Sequence, residues 1–123
     1  YETACVHDVL GLEAQAIAYY VKAINLGLPR NFLREAYLGL GSTYRALGQY
    51  EQARAILAQA MAEFPNANEL KVFYAMVLYN LNRHKEAVSS LLSVLTDTTS
   101  DANIAQLAQA IHLYAQDLDK KWL

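Results

Sequence analysis

The sequence predicts an all-α protein built as a row of stacked helical hairpins, and three observations carry that expectation. Alanines stand at positions 16, 23, 53, 60 and 87, with Gly11 and Gly48 each five residues before the first member of an early pair. Shifting the chain against itself by 34 residues pairs Gly41 with Ala75, Tyr44 with Leu78, Ala53 with Ala87, Leu57 with Leu91, Ala60 with Val94 and Pro65 with Thr99. Between these small residues, apolar positions recur every three or four residues, the period of an amphipathic helix.

The elements follow in order. A shift of 37 residues pairs Ala4 with Gly41, Gly11 with Gly48, Ala16 with Ala53, Tyr20 with Leu57 and Ala23 with Ala60, which places the first two helices at 2–10 and 13–27. The three extra residues fall in the turn Gly27-Leu28-Pro29-Arg30-Asn31, where an insertion leaves the helical register intact. Leu33, Ala36, Tyr37, Leu40, Gly41, Tyr44 and Leu47 form the stripe of a helix over 31–47 that Gly48 stops. Ala53, Ile56, Leu57, Ala60, Met61 and Phe64 form the next over 50–64, ended by Pro65 and Asn66. Register places two more at 67–81 and 84–96, so the repeats span about 1–30, 34–67 and 68–99 of a single domain.

After Thr99 the pattern changes. Ile104, Leu107, Ala108, Ile111, Tyr114, Ala115, Leu118 and Trp122 make one apolar stripe, which predicts a capping helix over about 101–122. Ser100 or Asp101 can accept hydrogen bonds from its first free amides, and Lys120 and Lys121 suit the negative end of its dipole. Its expected role is to cover the exposed core of the last repeat, as stacked repeats require. Gln109 stands in the register of Gly41 and Ala75, and a large residue is tolerated there because no partner helix follows.

The small residues have a mechanical purpose. Helix axes in such pairs lie roughly 8 to 10 Å apart, and a bulky side chain at the crossing would separate them. Gly41 and Ala53 are the expected contact point, so Ala53→Leu should overpack the seam at a typical cost of about 1–3 kcal/mol.

A 34-residue period with a glycine-marked turn in mid-repeat is similar to the tetratricopeptide repeat family. The middle copy resembles it best, with Tyr37, Leu40, Gly41, Tyr44, Gly48, Tyr50, Ala53, Leu57, Ala60 and Pro65 on signature positions. The third copy departs from it, holding Lys71 and Tyr74 where Tyr37 and Leu40 stand, and the first lacks the opening aromatic. The resemblance covers about residues 1–99, and the whole length is similar to short bacterial proteins of this class. It implies a right-handed α/α superhelix whose concave groove is lined by the first helix of each repeat.

On that implication the register stacks three columns: Tyr1, Leu38, Val72 and Gln106; Cys5, Ser42, Met76 and Ala110; Asp8, Arg45, Tyr79 and Leu113. Tyr1, Cys5, Leu38, Ser42, Arg45, Val72, Met76 and Tyr79 are the candidate groove residues. Met76 would be an adaptable anchor and Tyr79 an amphipathic one. An alternative places these side chains beneath the capping helix, and Arg45 and Asp8 are expected to pair across neighbouring repeats. Family members that hold acidic chaperone tails use lysine, asparagine and arginine. The matching positions here are Tyr1, Cys5, Gly39, Glu69 and Phe73, so an apolar or aromatic peptide segment suits this groove better.

Composition narrows the partners. Ten basic against 12 acidic residues give a formal charge of −2, which offers no electrostatic footprint for nucleic acid or an anionic membrane. No apolar run approaches the roughly 18 to 20 residues that span a bilayer, and no leader pattern is present. Cys5 is the single cysteine, so no internal disulfide can form, and a reducing, cytoplasmic compartment is expected. Because the chain starts at Tyr1, a preceding segment or helix stays open.

No catalytic, metal or cofactor site is expected. His7, His84 and His112 lack ligand spacing, and His7 and His84 align with Tyr44 and Tyr50 as core or turn aromatics. Cys5 shares a column with Ser42 as a small packing residue. Gly39 and Gly41 sit within a helix, without the strand before them or the lysine after them that a phosphate loop needs. Glu51, Glu63 and Glu69 fall on exposed helix faces. With all the chain assigned to helices and turns, no room remains for a catalytic domain. The leading expectation is therefore an adaptor that holds a protein segment in its groove. The second is a homo-oligomeric module, a homodimer for example, that buries the groove or the capping helix against its own copy.

Overall fold

The computed structural model describes residues 13–122. Its described residues form α1 (Glu13–Asn25), α2 (Arg30–Ala46), α3 (Tyr50–Glu63), α4 (Asn68–Asn80), α5 (His84–Thr98), α6 (Ala102–Gln106) and α7 (Ala108–Ala115), with no strand among them. The helix expected over 2–10 lies outside the described residues. Consecutive helices pack as neighbours: α1 on α2, α2 on α3, α3 on α4 and α4 on α5. In addition α2 packs on α4, so the first helices of successive hairpins lie side by side. The molecule is an all-α stack of antiparallel pairs.

The repeated alanines sit where this packing needs them. Ala16, Ala53, Ala60 and Ala87 are buried, and Ala23 is half-buried. Tyr37, Ala53, Leu57, Phe64, Leu70 and Val77 belong to one core shared by α2, α3 and α4. Ala16, Tyr20, Ala36 and Leu40 fill the seam between α1 and α2, and Ala75, Leu78 and Ala87 the seam between α4 and α5. Gly41 lies in a close crossing, where a Cβ built on it would come within 2.6 Å of the Leu57 side chain. Likewise a Cβ on Gly39 would collide with the ring of Tyr20. Leu57 and Tyr20, paired by the 37-residue shift, thus each rest on a glycine of α2.

The turns within hairpins repeat bond for bond. Gly48, at φ 76°, donates from its amide to the Arg45 carbonyl, and Gln49 donates to Tyr44. Thirty-four residues on, Asn82, at φ 63°, donates to Tyr79 and Arg83 donates to Leu78. Asparagine is the residue other than glycine that enters this left-handed region at least cost, which explains its place at the glycine position.

The C-terminal segment differs from the expected long helix. At Leu107 (φ −96°, ψ 7°) the amide bonds to the Ile104 carbonyl three residues back, which tightens the turn and separates α6 from α7. Asp101 is the N-cap: its Oδ1 accepts from the amides of Asn103 and Ile104 at 2.9 and 3.0 Å. Helix α7 ends at Ala115 because Asp117 offers the chain a competing local bond, its carboxylate accepting from the Asp119 amide at 3.1 Å. Lys120 and Lys121 therefore do not face a helix terminus, and Lys120 lies 4.2 Å from the centre of the Trp122 ring.

Candidate interaction face

The face shared by α2 and α4 is framed by two polar bridges. Arg34 of α2 grips Glu69 of α4 with two guanidinium nitrogens, one at 2.6 Å from Oε1. Farther along, Nε of Arg45 donates to Oδ1 of Asn80 at 2.8 Å. Both bridges span 35 residues, one more than the sequence period, which is the stagger between successive first helices. Arg34 holds the Glu69 carboxyl below its ordinary value, mainly through their hydrogen bond, and is itself raised by it.

Between the bridges lie Leu38 and Ser42 on α2 and Val72 and Met76 on α4. At about 100° per residue they share the arc that carries the bridging residues. All four are half-buried. The structure thus brings Leu38, Ser42, Arg45, Val72 and Met76 onto one face. Tyr79, also on α4, is 61% exposed, and its ring sits 4.9 Å from that of His84 on α5. Tyr1, Cys5 and Asp8 lie outside the described residues. Arg45 takes Asn80 as a partner, a contact the charge-based expectation of an Arg45–Asp8 pair did not contain. Arg34 and Glu69 were also not read as site residues, and a search for opposite charges one repeat plus one residue apart would have found them.

The first turn of α2 is also fixed to the end of α3. Arg30 donates to the Glu63 carbonyl at 3.0 Å and lies 4.4 Å from the Phe64 ring centre. The buried Tyr37 donates its hydroxyl to Glu63 at 2.9 Å and accepts from Gln59 at 3.2 Å. Burial, then the Glu63 bond, raises the Tyr37 phenol above its ordinary value. The face is therefore displayed on a helix clamped to α3.

The C-terminal segment does not cover this face. Its main packing partner is α5, where Lys85 pairs with Asp119 and Nε2 of His112 lies 2.7 Å from the Thr96 hydroxyl and 3.6 Å from Asp97. His112 is thus an exposed interhelical contact. Both Thr96 and Asp97 approach the same ring nitrogen, whereas a nucleophile relay needs the hydroxyl and the carboxylate on opposite nitrogens. His84 is the exposed first residue of α5, beside Tyr79. Among the described residues no group of three His, Cys, Asp or Glu side chains is placed to hold a metal, and no helix is long and apolar enough to cross a membrane.

Stacked hairpins with small residues at their crossings, left-handed mid-repeat turns and side-by-side first helices define a helical-repeat protein. The sequence model of the tetratrico peptide repeat matches residues 1–118, and the chain belongs to this family. It is also 28% identical over 111 residues to the human protein O-mannosyl-transferase TMTC1, an alignment covering 90% of this chain. The matched region is 12% of that protein's length. Membership supports a role in protein–protein interaction, which is what repeats of this family generally do.

Proposed function

We propose that this chain is a non-catalytic adaptor that holds an apolar or aromatic segment of a partner protein along the α2–α4 face. One observation carries this: half-buried Leu38, Val72 and Met76 lie between bridges in which Arg34 and Arg45 already have partners. The apolar centre gains from burial, at roughly 25 cal/mol per Å² of apolar surface removed from water. The engaged arginines give an acidic tail little to bind. Helix α2 is braced against α3 by Arg30 and Tyr37, so a partner meets a preformed surface, which lowers the ordering cost of association.

Affinity capture with the wild type against a Leu38→Glu, Met76→Glu variant tests the proposal. Loss of specific partners from the variant, with its helical circular dichroism unchanged, is the supporting result. Equal recovery by both proteins places the binding surface elsewhere.

A further inference from the structure

Glu35 differs from the other glutamates of α2–α5. Glu51, Glu69 and Glu86 each face an arginine, and Glu63 accepts the Tyr37 hydroxyl. Among the described residues the Glu35 carboxylate enters no ion pair. Arg34, its neighbour in sequence, is held by Glu69, and Arg30, earlier in the same helix, lies over Phe64. Glu35 is exposed, and it lines a cavity of about 270 Å³ between α1 and α2.

The rest of that cavity is chiefly aromatic and apolar, with Tyr19, Tyr20 and Ala23 from α1, Leu28 from the turn and Phe32 from α2. The rings of Tyr19 and Tyr20 lie 5.6 Å apart at 74°, so two aromatic surfaces meet nearly at a right angle. Tyr20 is the fixed member, 1% exposed and seated on Gly39, whereas Tyr19 and Phe32 are about half exposed. The face of each ring carries negative potential and attracts a cation within about 6 Å of its centre. This chain makes such contacts elsewhere, with Arg30 4.4 Å from the Phe64 ring and Lys120 4.2 Å from the Trp122 ring. The volume falls just below the roughly 300–1,000 Å³ of ordinary ligand sites, which suits one small group better than a whole cofactor or a helix.

We infer that this cavity binds an alkylammonium group, its charged nitrogen drawn to Glu35 and its carbon substituents set against Tyr19, Tyr20 and Phe32. A lysine side chain, methylated or not, and a free quaternary amine share that chemistry. The carboxylate separates this occupant from a purely apolar one, because a neutral group of the same shape would gain the ring contacts and nothing from the charge. The cavity lies between α1 and α2, not on the α2–α4 face, and does not depend on the role of that face.

The test follows the aromatic ring-proton NMR signals of the full chain during titration with choline and, separately, with the neutral alcohol in which a tert-butyl group replaces trimethylammonium. Saturable shifts of Tyr19 and Phe32 are expected with choline, and binding about threefold or more weaker with the alcohol. Phe32→Ala and Glu35→Gln should each weaken choline binding about twofold or more, while Tyr79→Ala, which removes an exposed ring elsewhere, should leave it unchanged. Circular dichroism and the unfolding midpoint show that each variant is folded. A tripeptide with a central lysine or trimethyllysine, titrated in the same way, distinguishes the sources: tighter binding than choline assigns the cavity to a protein side chain, weaker binding to a free cation, and either supports the site. No saturable shift with any of these probes, or equal binding of choline and the alcohol, overturns the inference. So does choline binding that neither Phe32→Ala nor Glu35→Gln weakens.

Discussion

At the scale of single residues, two glycines and a tyrosine set how closely the helices approach. Gly41 leaves room for Leu57, and the position has no space for a methyl group while that leucine stays in place. Gly41→Ala should therefore destabilise the protein by about 1–3 kcal/mol, as overpacking does. Urea unfolding of Gly41→Ala and Leu57→Ala, singly and together, should show the double variant losing less than the sum of the two; simple additivity would deny the contact. Tyr37→Phe removes the bonds to Glu63 and Gln59 and should cost about 0.5–1.5 kcal/mol in the same assay. Glu69 supplies a pH signature. Its folded value is depressed, chiefly by the Arg34 bond, so its contribution is present above the ordinary carboxylate range, near ~4.3, and is lost as pH falls through the lower folded value. Glu69→Gln should therefore flatten the acid limb of stability against pH, and the effect is small because both partners are more than a third exposed.

At the scale of elements, the mid-repeat turns are the clearest products of sequence. Gly48 was legible as a stop because glycine is the ordinary residue at a left-handed helix end, whereas Asn82 was not read as its equivalent despite lying 34 residues on. Asn82→Val should lower stability by about 1–2 kcal/mol, the cost of placing a Cβ-branched residue in that region, while Asn82→Gly should stay close to wild type in a thermal melt. Helix positions were legible because period, glycine and proline are local signals. The C-terminal segment was not: its apolar stripe continues to Trp122, yet the tight turn at Leu107 and the Asp117 side-chain bond end the helices early. A stripe records which residues can share a face, and a competing turn decides how many of them do.

At the scale of the whole molecule, the described residues form a helical stack with one apolar face framed by polar bridges. The residues of that face were partly legible, since register aligned Leu38 with Val72 and Ser42 with Met76. The bridges were hidden because the stagger between first helices shifts pairing from 34 to 35 residues, a consequence of three-dimensional packing that no periodicity displays. The most direct test of the α2–α4 face is hydroxyl-radical footprinting of the chain alone and with a partner recovered by capture. Oxidation of Met76 and Leu38 should fall sharply in the complex while that of Leu26 and Trp122, both exposed and away from the face, stays constant. Undiminished oxidation of Met76 and Leu38 in a saturated complex would contradict the account.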